Sequence, residues 1–270
     1  STLGLFHIIV TTEKERLHLL IVNTIKSHAH NLFFQYGPVN TAPFSVYITE
    51  NDIQFKALTT PKVPSWATGF AKGNEIVIKS PQQKSMSYET FNRVLMHEIS
   101  HIYLHRINNH FPQWFNEGFC MYNAGEFGIN RKINISWNLL LNKVVGLSQL
   151  KNFLSTSRSV SYLYYSQSGA SIEAMIYYYG GDILDSILHH SKNGNTFYQS
   201  FYMATGGDSI DEFSGKYIDF LYNHYRFLFF YKFQKIIFFL IPLLLLLIWF
   251  YKKRKNKKII QLWEIEEELE

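Results

Sequence analysis

The sequence predicts an α+β protein: a small N-terminal sheet with a flanking helix, a central helix pair, an all-helical C-terminal half, and one terminal transmembrane helix. Three observations predict it. Short alternating or apolar runs crowd the stretch before Ser80 and are scarce after it. Helical periodicity dominates from about Tyr88 to Tyr225. The chain then enters an uncharged, Leu-rich run followed at once by a basic block.

Leu3 to Val10 ends in Ile8-Ile9-Val10 and reads as a strand. Thr11 or Thr12 precedes Glu13, Glu15 and a long amphipathic helix to about Gln35, with Leu17, Leu20, Ile21, Thr24 and Ile25 on its buried stripe. Gly37-Pro38 ends it. Pro43 to Thr49 alternates, with Phe44, Val46 and Ile48 on one side of a strand. Glu50 to Leu58 fits a short helix, and Gly69 to Ser80 reads as a turn followed by a strand from Glu75 to Lys79.

From Tyr88 to Ile107 there is no Gly or Pro, and Phe91, Leu95, Ile99 and Ile102 recur at helical spacing. Inside this run stands His97-Glu98-Ile99-Ser100-His101, a His-Glu-x-x-His pattern. Residues four apart share a helix face, so both imidazoles can grip one metal ion, with Glu98 near enough to reach a water there. Zinc is the natural candidate, because it accepts imidazole nitrogen and carboxylate oxygen in a tetrahedron. A catalytic zinc has a third protein ligand. Leu104 and Ile107 occupy the positions where a His-x-x-Gly-x-x-His continuation would need Gly and His, which excludes that version. His105 shares the face, but eight residues of helix span about 12 Å, so it cannot share an ion with His97. After a break over Asn108 to Pro112, a second helix carries Glu117, and a helix–loop–helix hairpin would return that carboxylate to the metal.

The second helix reads Pro112-x-Trp114-x-x-Glu117-Gly118-x-x-x-Tyr122. With the preceding helix, this resembles the gluzincins, the thermolysin-like and aminopeptidase-like metallopeptidases, and more narrowly the peptidase MA-like group. Cys120 departs mildly, standing where a small residue such as Ala is more usual. The resemblance covers most of residues 5–225. It implies a zincin helix pair and a zinc peptidase with one Zn2+ held by His97, His101 and Glu117, and with Glu98 as general base toward the zinc-bound water. It also implies an oxyanion donor from the helical half. In Tyr164-Tyr165-Ser166-Gln167-Ser168, Tyr165 takes the place of that tyrosine, with Tyr164 second. Residues 69–79 correspond to the strand that binds extended peptide in such enzymes. The competing function is a zinc-binding membrane adaptor or sensor that cleaves nothing.

The rest of the helical half is a series of shorter pieces. Asn134 to Trp137 is expected to pair briefly as a strand, flanked by short helices over Asn138 to Val145 and Leu147 to Phe153. Tyr162 to Tyr179, Ile183 to His190, Thr196 to Ala204 and Ser209 to about Tyr225 read as helices.

From Ile236 to Tyr251 there is no charge, and six basic residues crowd positions 252–258. That reads as a stop-transfer segment. The expected layout is a peptidase domain over 1–225 (sheet half to about 125, helical half beyond), a juxtamembrane segment and transmembrane helix over 226–251, and a cytoplasmic tail over 252–270. The domain would lie outside the cell membrane, held to the bilayer by a single helix, with a signal removed before Ser1. A formal net charge of +5 is an ordinary solvated surface and no nucleic-acid footprint. The single cysteine excludes an internal disulfide. A peptide or protein is the expected substrate.

Overall fold

Leu17, Ile21, Ile25, Ala29 and Leu32 recur every three or four residues, and this is the stripe that α1 (Glu15–Tyr36) buries. The computed structural model describes residues 15–40, 42–60, 63–108 and 110–267, so the strand expected from Leu3 to Val10 lies outside it. Next come β1 (Ser45–Thr49), α2 (Asp52–Leu58), β2 (Gly69–Lys72) and β3 (Glu75–Lys79). The sheet order is β1-β3-β2, with β3 parallel to β1 and antiparallel to β2. Gly69 to Lys72 was expected as a turn. It is an edge strand because Gly73, at φ 58°, closes a tight hairpin that lets it pair with β3. Lys79 is fully buried at the end of β3, where Asp52 (2.7 Å) and the Ser65 carbonyl (2.8 Å) satisfy its ammonium.

One turn of helix, α3 (Pro81–Lys84), leads into α4 (Tyr88–Ile107). Ser87 caps α4, its hydroxyl accepting the Thr90 N–H. Phe91, Leu95, Ile99 and Ile102 bury one side of α4 against α1 and the sheet. α5 (Gln113–Asn123) starts from Pro112, whose missing N–H costs nothing at that place, and packs on α4. α6 (Ile129–Leu140) contains Asn134 to Trp137. The strand expected there does not form, because Ile133, Ser136 and Leu139 make a buried helical stripe that overrides local β preference. Two 3-10 turns, Leu147–Gln149 and Phe153–Ser155, stand where a short helix was expected. α7 (Arg158–Tyr179), α8 (Ile183–Lys192), α9 (Phe197–Ala204) and α10 (Ile210–Tyr225) follow. α7 lies tight against α5, since a Cβ on Gly118 would overlap the Ser168 carbonyl.

Of the described residues, those up to Arg226 form one compact unit and those from Phe227 a second, whose helix is α11 (Phe230–Glu267). The protein is mostly helical with a small sheet, and the transmembrane helix expected from the sequence is overturned. Among the described residues no helix is long and apolar enough to cross a membrane. The uncharged run from Ile236 to Tyr251 is sixteen residues. At 1.5 Å each it rises about 24 Å, short of the roughly 30 Å hydrocarbon layer. Lys232, Lys235 and Lys252 close it in from both sides, and Pro242 sits inside it. The single-helix bilayer anchor, and the bilayer as partner, therefore find no support.

Candidate metal centre

His97 and His101 lie one turn apart on α4, and their Nε2 atoms face each other at 3.1 Å. α5 brings Glu117 to the same point. Its Oε2 is 3.3 Å from His97 Nε2 and 3.5 Å from His101 Nε2. Trp114, Phe115, Phe119 and Met121 anchor α5 in the core, and Gly118 lets it seat closely on α7.

The outer nitrogens settle where the protons sit. His97 Nδ1 is 3.0 Å from Glu126 Oε2, and His101 Nδ1 is 2.9 Å from Asn116 Oδ1. Both partners are oxygen acceptors, so each Nδ1 donates and each neutral ring turns an Nε2 lone pair inward. Glu117 Oε2 is buried with no hydrogen-bond partner. Three acceptors thus converge with no donor among them, an arrangement that calls for a cation. Ligands 2.0–2.1 Å from a tetrahedral zinc lie roughly 3.4 Å from one another. The three observed separations, 3.1, 3.3 and 3.5 Å, match that spacing.

Burial disfavours a charge on His97, but Glu126 and Glu117 outweigh it and hold its pKa well above the ordinary value. His101 is likewise raised, burial being overcome by Glu117. Burial would lift Glu117, yet His101 and His97 pull its carboxyl down to about 2. Glu98 moves the other way, raised by its burial.

Cys120 offers a rival third donor, since its Sγ lies within 4.8 Å of nitrogens of His97 and His101. Only a thiolate binds metal well. Burial pushes the Cys120 thiol well above its usual range, and Glu117 and Glu98 add to that. Glu117 is closer and ionised, and would make the better ligand.

The cluster opens into a cleft of about 520 Å³. β2 forms one wall through Gly69 and Phe70, while Arg131 and Tyr165 line the helical wall. Tyr165 reaches this cleft with its ring against Phe153, whereas Tyr164 does not line it. Burial, then Glu117 and Glu98, push the Tyr165 phenol well above its usual pKa. His105 lines the cleft, and it is not among the residues gathered at the metal cluster. Asn116 and Glu126 escaped the sequence reading. Asn116 could have been found as the residue before Glu117. Glu126 lies beyond the end of α5, after the Gly125 turn, where no periodicity marks it.

No curated protein matches the chain. Among solved structures it is similar to an M1 zinc metallopeptidase from Deinococcus radiodurans, at 12% identity and a TM-score of 0.41, covering 80% of this chain and 48% of that one. It is also similar to a two-domain M1 zinc metallopeptidase bound to L-tryptophan, at 12% identity and a TM-score of 0.45, with the same 80% and 48% coverage. The chain thus spans about half the length of these structures. The model of the Peptidase MA superfamily matches residues 28–223, a span that holds α4, α5 and every residue of the cluster. Over that span, most of its length, the chain belongs to the Peptidase MA superfamily.

Proposed function

We propose that the protein is a zinc-dependent peptidase that hydrolyses peptide bonds in the cleft beside β2, with His97, His101 and Glu117 holding one zinc ion. One observation carries this reading: three acceptor atoms meet within 3.5 Å of one another, next to the buried Glu98 carboxylate. Zinc supplies Lewis acidity and lowers the pKa of a water to about 7. Glu98 takes a proton from the attacking water and returns it to the leaving amine. Its raised pKa suits both halves of that task, since a carboxylate of ordinary acidity gives up a proton readily but takes one poorly. The Tyr165 hydroxyl stays protonated at neutral pH and donates to the oxyanion as it forms. Glu126 and Asn116 orient the two imidazoles.

The test is Glu98→Gln, with metal content and cleavage of a random peptide library measured together. Cleavage is expected to fall by about 10²–10⁴-fold while one equivalent of metal stays bound. A chelator should silence the parent protein and added zinc should restore it. Cleavage that ignores both the chelator and the substitution would remove the proposal.

A further inference from the structure

The helical wall of the cleft carries two cations that the chemistry above leaves unused. Arg131 sits in the first turn of α6 and Arg158 is the first residue of α7, and both line the cleft that holds the metal cluster. By contrast Lys132, next to Arg131 in the chain, is paired with Glu173 at 2.6 Å. Among the described residues neither arginine has a carboxylate at ion-pair distance. Arg131 is half-buried and Arg158 is exposed, so both can meet a ligand in the cleft.

Arg131 is also held in place. Its guanidinium carbon stands 4.2 Å over the Tyr162 ring, and Nη1 donates to the Tyr162 carbonyl at 3.4 Å. Stacking fixes the plane of the fork and leaves its remaining N–H groups for a planar, two-oxygen acceptor. The acidic side chains of the cleft, Glu98, Glu117 and Glu126, all belong to the metal end. Beyond that end no acidic side chain of the cleft competes for the arginines, so they are left to draw a negative group on a substrate.

We propose that Arg131 and Arg158 bind a carboxylate of the peptide substrate, an acidic side chain or a free C-terminus, at a position removed from the scissile bond. This deepens the peptidase reading, so its test is made on binding rather than turnover. The full chain carrying Glu98→Gln is titrated with labelled octapeptides that differ only by Glu or Gln at one scanned position, each with a free or an amidated C-terminus. At one position Glu should bind about tenfold or more tighter than Gln, or the free acid about tenfold tighter than the amide. The first result names a side chain and the second a chain end. In Arg131→Gln/Arg158→Gln added to the same protein, that ratio should collapse toward unity, and Arg131→Lys should keep only part of it. Ratios within twofold in the starting protein, or a preference that survives both substitutions, would overturn the proposal. Because each ratio is taken on one protein, a partial loss of folding cancels. If peptides bind with the acid preference but the unsubstituted parent protein cleaves none of them, the peptidase reading fails and this one stands.

Discussion

Gly69 lies so close to Glu98 that a Cβ built on it would come within 2.5 Å of Glu98 Oε1 and 2.9 Å of Val94 Cγ1. The edge strand and the buried carboxylate are thus in direct contact. β2 is both a wall of the cleft and the surface against which Glu98 rests, so peptide laid along that edge would lie beside the base.

Gly69→Ala should therefore shift Glu98 without touching the metal cluster. A displacement of about 1 Å at a reacting group costs up to 10²-fold in rate. We expect kcat to fall about tenfold to a hundredfold with zinc affinity unchanged, read by steady-state kinetics and competition with a zinc-binding dye.

Glu126→Gln keeps the size of the side chain but loses the anion that His97 Nδ1–H meets at 3.0 Å. Loss of such a partner typically weakens metal binding about 10–100-fold. The dye competition should show this, and Glu126→Asp should recover part of it.

Tyr165→Phe should lower kcat by about 10²–10³-fold with little change in KM, as expected for a donor that acts on the oxyanion. Tyr164→Phe, outside the cleft, should leave both constants near the parent values.

Acid should weaken the fold through His28. His28 Nε2 donates to Ser100 Oγ at 2.9 Å, and the Ser100 hydroxyl donates to the Met96 carbonyl, tying α1 to α4. Burial lowers the His28 pKa from 6.5 to about 4. Between those values the unfolded chain binds a proton that the folded one refuses, so stability rises with pH there. The contribution is present above pH 6.5 and is lost as pH falls toward about 4. Its size is on the order of 3 kcal/mol. Urea unfolding from pH 7 to pH 4 should show the loss, and His28→Gln should flatten it.

The legible parts were those with local causes. A four-residue spacing puts His97 and His101 on one face whatever surrounds them. Pro112 opens a helix because it lacks an N–H. The misread parts were relations. Gly69 to Lys72 is a strand only because β3 pairs with it, and Asn134 to Trp137 is helical only because the core takes Ile133, Ser136 and Leu139 from one side. The run before the basic block had the composition of a membrane span but not its length.

By itself, then, the order of residues determined which groups share a helix face and which carboxylate follows on the next helix, because backbone geometry repeats over a single turn. Only the tertiary structure decided that Glu117 Oε2 stands within 3.5 Å of both imidazoles, that Glu126 and Asn116 hold their outer nitrogens, and that Gly69 presses on Glu98. Those contacts join segments far apart in the chain, and close packing of α4, α5, α7 and β2 brings them together.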